Sequence, residues 1–222
     1  NVMKAQEKEW KKLSDRVMYS LRPTQYPVAM KFAHTQEELD AIPNMNYCQN
    51  KASDVADQYG CIFSGDFRSY KRPFLRTVLC DQQRLYGCRS GLSGRKYFIP
   101  QTDAWHHDQE DAKKHIAENR KLLPEVPYIG IACSSLSACD IEEPDVISLQ
   151  LPTQAAFHLL AGYVENDYEK LYFPFSGESN CADTWMYTMK TGKPGVSLGC
   201  RGDRATGALQ FGEVRVTMTA EA

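Results

Sequence analysis

Eight cysteines are spread along this chain of 222 residues, and the way they are held limits the kind of fold it can adopt. They stand at positions 48, 61, 80, 88, 133, 139, 181 and 200. Dense disulfide frameworks belong mainly to small secreted chains that lack a core, whereas a chain of this length can bury a substantial core. We therefore favour metal or redox use of some cysteines over ordinary buried thiols, and both over a disulfide set.

Charge and hydropathy argue against several classes of function. The net charge of −2 provides no basic surface for nucleic acid. No apolar run approaches the roughly 18 to 20 residues that a membrane-spanning helix needs. The N-terminus is polar and lacks the apolar region of an export signal. We therefore expect a cytoplasmic protein that binds neither nucleic acid nor membrane.

The hydrophobic pattern predicts an α+β fold, with mixed α/β as the alternative. Helical spacing of apolar residues predicts helices over residues 6–21, 102–123 and 154–163, with a short helix after Thr35. Strand-like runs occupy residues 26–32, 128–133, 146–151 and 213–218. His158 lies in an apolar helix and is predicted to be a core residue. We expect one compact domain over residues 1–222, with a central sheet flanked by helices; a division near residue 124 is the alternative.

Two cysteines stand among small and polar residues late in the chain. Cys181 lies in the stretch 175–183 (FSGESNCAD) and Cys200 in the stretch 197–204 (SLGCRGDR), with a short amphipathic helix between them that Thr191 and Gly192 close. Loops and helix starts hold metal-binding thiolates well, because backbone N–H groups support the charge on sulfur. We therefore expect the reactive or metal-binding centre here.

Further ligands would come from the N-terminal half, so the site is expected between the two halves of the fold. Cys48 is predicted to lie near a helix N-terminus, where the helix dipole favours a thiolate, and Cys80 or Cys88 could supply a fourth ligand. No C-x2-C pair is present, so the spacings of zinc ribbons and bacterial ferredoxins are absent.

Charged residues beside these cysteines suggest a role in binding a substrate. Arg201 and Arg204 could bind an anionic group, or could instead pair with Asp203 and Glu178. Together with Glu178 they form the predicted catalytic set. Neither a G-x-S-x-G nucleophile elbow nor a nucleotide-binding glycine motif is present, which disfavours serine hydrolysis and leaves nucleotide binding without support.

Several short motifs, taken in order, resemble a known family. They are found at residues 26–32 (YPVAMKF), 47–49 (YCQ), 143–146 (EPDV), 175–177 (FSG), 180–183 (NCAD), 191–192 (TG) and 197–204 (SLGCRGDR). From about residue 13 to residue 217 the chain resembles the prokaryotic "domain of unknown function 169" family. The resemblance implies a central cysteine-and-glycine segment, which Cys80 fits best, although residues 81–83 (DQQ) and the added Cys88 depart from it.

We interpret the chain as a cytoplasmic protein of an anaerobic or facultative prokaryote that binds an iron–sulfur cluster of the four-iron type. Its predicted ligands are Cys48, Cys80, Cys181 and Cys200, with Cys88 as the alternative to Cys80. Redox or sulfur chemistry on a small anionic molecule is expected, with an electron-donor protein as a candidate partner. Two alternatives stay open: the cysteines hold structural zinc in a non-catalytic binding domain, or Cys181 is a nucleophile without metal.

Overall fold

The strands and helices are given by a computed structural model, which describes residues 2–42, 46–47, 74–76, 114, 117–118, 121, 130–138, 141–166, 168–175, 180–200, 204 and 209–221. The strands are β1 (Val28–Ala33), β2 (Asn46–Tyr47), β3 (Phe74–Arg76), β4 (Gly130–Ser135), β5 (Val146–Pro152), β6 (Gly195–Ser197) and β7 (Glu213–Thr219). The helices are α1 (Val2–Ser20), α2 (Gln36–Ala41), α3 (Thr153–Glu165) and α4 (Tyr187–Thr191), with a 3-10 turn at Leu136–Ala138 and a π-helical turn at Ala182–Met186. The prediction of an α+β fold is confirmed.

Within the described residues, seven strands form one sheet in the order β2-β3-β4-β1-β5-β7-β6. All neighbours are antiparallel except β2 and β3, which are parallel. The central strand β1 pairs with β4, where Met30 lies opposite Cys133, and with β5, where Val28 lies opposite Ser148. The sheet therefore joins strands from both sides of residue 124, although the number of domains stays a prediction.

One face of the sheet carries the main apolar core. Because side chains alternate along a strand, β5 and β7 direct every second residue to this face. These residues are Ile147, Leu149, Leu151, Val214 and Val216, and α1 and α3 pack on them through Trp10, Leu13, Val17, Leu159 and Leu160. The indole N–H of Trp10 also donates to the Glu142 carbonyl at 3.1 Å, which anchors α1 at the start of the β5 segment.

The opposite face is covered by the helix that runs from Asn180 through the π-helical turn and α4. Trp185 of the turn is fully buried, and its ring centroid lies 5.1 Å from that of Phe32 on β1. Towards β7 this face becomes polar, with Gln150, Arg215 and Thr217 all at most 3% exposed. Both described predicted ligands, Cys181 and Cys200, belong to segments that adjoin this polar end.

The ends of two short helices follow from their residues. Thr35 caps α2 by accepting the Glu38 N–H at 3.2 Å, as its position in the sequence predicted. The α4 helix ends at Gly192, whose φ of 71° is the left-handed conformation that closes many helices. A longer connection holds the sheet: the Asp145 carboxylate accepts Lys31 Nζ at 3.0 Å and the Phe32 N–H at 2.7 Å.

His158 is exposed, so the prediction that it belongs to the core was wrong. The inward stripe of α3 is formed by residues 155, 156, 159 and 160, and position 158 faces away from it. The helix predicted over residues 102–123 lies largely outside the described residues. Among the helices that the structure describes, none is long and apolar enough to cross a membrane.

Candidate functional site

Cys181 is the residue directly before the π-helical turn, in the helix that covers the polar face. Its side chain is 4% exposed, and its φ of −64° and ψ of −42° are helical. The π-helical turn follows at once, and all five of its residues are buried. Turns of this kind are rare and occur frequently at functional sites. The unusual backbone therefore adjoins one of the two described candidate ligands.

Gly195 allows β6 to lie directly against this π-helical turn. A Cβ atom at position 195 would stand 2.6 Å from the carbonyl oxygen of Thr184 and 2.9 Å from that of Asp183. Both contacts are with helix backbone, which cannot be moved by a change of rotamer. The absence of a side chain at Gly195 thus lets the strand leading to Cys200 pack on the turn that follows Cys181.

Two hydrogen bonds continue this contact towards Cys200. Ser197 Oγ lies 3.4 Å from Asp183 Oδ2, and the Gly199 N–H donates to the same hydroxyl at 3.1 Å. Gly199 has a φ of +87°, a conformation that favours glycine, and a Cβ there would stand 2.3 Å from Leu209 Cδ2. The residue before Cys200 is therefore held by its hydrogen bond, its backbone conformation and its packing.

Arg204 is hydrogen-bonded to the segment that contains Cys200. Its backbone N–H donates to the Cys200 carbonyl at 3.0 Å, and its guanidinium donates to the Leu198 carbonyl. The side chain is otherwise exposed. The described contact of this guanidinium is therefore with the loop backbone, while the predicted role of Arg204 in binding an anion stays a prediction.

A row of buried polar groups extends from Ser197 into the sheet. Ser197 lies opposite Arg215 in the β6–β7 pair, and Arg215 Nη2 donates to Gln150 Oε1 at 3.3 Å. Gln150 Nε2 in turn donates to Glu213 Oε2 at 2.6 Å. Arg215 is only 1% exposed, and its strand partner Ser197 precedes Cys200 by three positions. A buried cationic side chain therefore lies on the strand next to the segment that carries Cys200.

The charge of Glu213 is favoured by its surroundings. Burial acts to raise the pKa of this carboxyl, but hydrogen bonds from Thr24, the Gln210 N–H and Gln150, together with the positive charge of Arg215, lower the pKa below its ordinary value. Gln150 thus connects an ionised Glu213 and the cationic Arg215 through hydrogen bonds in one buried row.

Of the predicted site residues, the structure describes Cys181, Cys200 and Arg204. The segments that carry these two cysteines are in contact through Gly195, Asp183 and Ser197, while a shared site for the two thiols stays a prediction. The other predicted site residues lie outside the described part of the chain: Cys48, Cys80, Cys88, Arg201 and Glu178. The described residues contain no group of three or more His, Cys, Asp or Glu side chains placed to hold a metal ion.

The sheet order bears on the predicted ligand Cys48. The strand that ends at Tyr47, the residue before Cys48, is one edge of the sheet, and β6 is the other. Six strand-to-strand steps of about 4.8 Å separate these edges by about 29 Å along the sheet. By the pairing register, β2 also runs towards the end of the sheet at Val146, whereas β6 runs towards the end at Pro152.

Three functional candidates were missed by sequence reasoning, namely Asp183, Ser197 and Arg215. The alternation of Glu213, Arg215 and Thr217 along one strand was a usable signal, since it places three polar side chains on one face. Cys133 is buried at 2% exposure, and none of the three described cysteines, at positions 133, 181 and 200, forms a disulfide.

Comparison with known proteins gives one family. The sequence model of a domain of unknown function, DUF169, described as an "Uncharacterised ArCR", matches residues 16–222. No curated protein and no solved structure matches the chain. The family match includes both cysteine-bearing stretches and every described strand.

Proposed function

This chain belongs to the domain of unknown function 169 family, and we propose that it is an iron–sulfur protein of the four-iron type, with Cys181 and Cys200 as two of the ligands. The observation that carries the proposal is the contact between their two segments, made through Gly195, Asp183 and Ser197. The segments that carry the two cysteines are thereby joined, which supports a shared centre.

The surroundings of both thiols suit thiolate ligands. Cys181 is buried and lies directly before the π-helical turn, on the segment that contacts β6. Cys200 is half-buried in a segment to which Gly199 and Arg204 both contribute hydrogen bonds. Iron–sulfur clusters are held by such Cys thiolates, and hydrogen bonds to the sulfurs tune their reduction potentials.

The remaining two ligands are proposed to be Cys48 and Cys80, with Cys88 as the alternative to Cys80. Cys48 is the most demanding member of this set, because the strand before it ends at the far edge of the sheet. A cysteine-by-cysteine test therefore has to treat Cys48 separately from Cys181 and Cys200.

The proposed activity is redox or sulfur chemistry on a small anionic molecule in the cytoplasm, with an electron-donor protein as partner. When bound, the cluster would supply electron transfer. Arg201 and Arg204 would orient an acid group of the substrate, and Glu178 would complete the site as a proton-transferring group. An exposed Arg204 beside the Cys200 loop supports this arrangement, because its side chain is accessible to a ligand.

The burial of Cys181 argues for a ligand over a nucleophile. Reactive cysteines are partly exposed in electropositive surroundings, whereas Cys181 is 4% exposed. In the structural-zinc alternative, the same cysteines form a closed site of four ligands around zinc. Measuring the zinc and iron contents of the protein distinguishes this alternative from the iron–sulfur proposal.

The proposal is tested by purifying the full chain without oxygen and measuring iron, acid-labile sulfide, zinc and the visible absorption spectrum. We expect a brown protein with about four iron and four sulfide per chain. A protein that stays colourless after reconstitution with iron and sulfide refutes the proposal, and a stoichiometric zinc content supports the structural alternative.

Single Cys→Ser variants then identify the ligands. Cys181→Ser and Cys200→Ser are expected to lose most of the iron and the absorption, whereas Cys133→Ser, at a buried strand position, serves as the matched control. Loss of the cluster in Cys48→Ser would place that residue in the set, and full retention would remove it.

A further inference from the structure

Asp183 and Ser197 make a buried contact between the two cysteine-bearing segments. Asp183 follows Cys181 by two positions and is 1% exposed, while Ser197 precedes Cys200 by three positions and is 2% exposed. The Gly199 N–H can only donate, so the Ser197 hydroxyl accepts from it and has its single proton left for Asp183. The direction of both hydrogen bonds is thereby defined.

We infer that Asp183 and Ser197 are positioning residues that hold Cys200 in place relative to Cys181, so that both thiolates can serve one centre. The inference rests on the proposed function for the metal, whereas the contact itself needs no metal. Removing the Ser197 hydroxyl would leave the Gly199 N–H without its acceptor and the Asp183 carboxylate without one donor. A partly buried donor without its acceptor is costly, so the segment of Cys200 would open more often.

Thr188 provides a matched comparison on the same helix. Its hydroxyl donates to the Thr217 carbonyl at 3.1 Å, and its side chain is fully buried. Thr188→Val and Ser197→Ala each remove one buried hydroxyl between the helix and the sheet. Of the two hydroxyls, only that of Ser197 is hydrogen-bonded to the segment of Cys200. A general loss of stability should therefore affect both variants alike, whereas a loss of positioning should affect Cys200 only in Ser197→Ala.

The first experiment measures the positioning without metal. The full-length protein is freed of metal and treated with iodoacetamide, and alkylation of Cys200 is followed by peptide mass spectrometry. Loss of a hydrogen bond corresponds to about a fivefold change in an opening equilibrium, so Ser197→Ala is expected to alkylate Cys200 at least about fivefold faster than wild type. Thr188→Val is expected to keep the wild-type rate within about twofold.

The second experiment measures the centre itself. In protein loaded with iron and sulfide, Ser197→Ala is expected to shift the reduction potential and the visible spectrum and to lose iron faster to a chelator. Asp183→Asn keeps an oxygen that accepts from Ser197, so it is expected to resemble wild type, whereas Asp183→Ala should resemble Ser197→Ala. A purely structural contact would lower stability without moving the potential or spectrum.

The outcomes separate this inference from the proposed function. Equal Cys200 alkylation rates in Ser197→Ala and Thr188→Val overturn the positioning role, whatever metal the wild-type protein holds. A wild-type protein without iron refutes the proposed function, and the alkylation rates alone then decide the positioning role. If Ser197→Ala does not fold, the comparison of Asp183→Ala with Asp183→Asn decides in the same way.

Discussion

At Gly195, β6 lies so close to the π-helical turn that one added methyl group is expected to lower the stability of the protein markedly. In Gly195→Ala the new Cβ would stand 2.6 Å from Thr184 O and 2.8 Å from Thr184 Cα. Gly195 does not need a left-handed backbone, so the effect comes from the contact and not from the conformation. The helix or the strand has to move, and this movement would separate the segments of Cys181 and Cys200.

The magnitude follows from the kind of atom that is met. Overpacking a well-packed interior costs about 1 to 3 kcal/mol, and a contact with backbone belongs at the upper end because no rotamer relieves it. In a chain of this size 1 kcal/mol corresponds to about 2 to 4 °C, so the melting temperature should fall by about 6 to 12 °C.

A second glycine in the same chain gives the opposite prediction. Gly162 lies in the middle of α3 on its exposed side, and a Cβ there would meet no atom within 4 Å. Gly162→Ala is therefore expected to stabilise the protein by about 1 kcal/mol through helix propensity. Urea unfolding followed by circular dichroism compares both variants with wild type. A Gly195→Ala protein as stable as wild type would refute the packing of β6 on the turn.

Three further predictions concern the sheet and its polar face. Asp145→Ala should lower the free energy of unfolding by about 2 kcal/mol, because the Phe32 N–H loses a charged acceptor. Lys31→Met, which removes only the ion pair, should lower it by less than about 1 kcal/mol. Urea unfolding of the two variants distinguishes these effects. The pKa of Glu213 in the folded protein is lowered from 4.5. The stabilisation from its charge is therefore fully present above pH 4.5 and is lost as the pH falls through the lower pKa of the folded state. Glu213→Gln should thus weaken the fall of the free energy of unfolding at acid pH, measured by urea unfolding at a series of pH values. Trp185→Ala should cost about 3 to 5 kcal/mol in urea unfolding, since Trp185 fills the space against Phe32.

The elements with a clear local pattern were predicted from sequence. The apolar run at residues 146–151 predicted β5, the alternation in residues 213–218 predicted β7, and the apolar helix pattern in residues 154–163 predicted α3. Thr191 and Gly192 marked the end of α4, because the left-handed conformation at Gly192 suits glycine. These signals depend on residues close in sequence, which is why a single sequence reveals them.

The features that depend on distant residues were not predicted. The short strand β6 has only three residues, and it is a strand because β7 pairs with it about twenty residues later. The π-helical turn has no propensity signal of its own, and the burial of Arg215 depends on Gln150, its hydrogen-bond partner on the neighbouring strand β5. Strand order cannot be derived from local periodicity either. The position of Tyr47, on the edge strand opposite β6, was therefore not predicted.

The central position of β1 also governs when the sheet can assemble during synthesis. Both of its hydrogen-bonding neighbours, β4 and β5, emerge from the ribosome about a hundred residues after Ala33. At an elongation rate of about 5 to 20 residues per second, β1 waits roughly 6 to 24 seconds before Pro152 has been made. During that interval a strand of apolar residues has both edges open, so the nascent chain offers a binding site to chaperones and a starting point for aggregation.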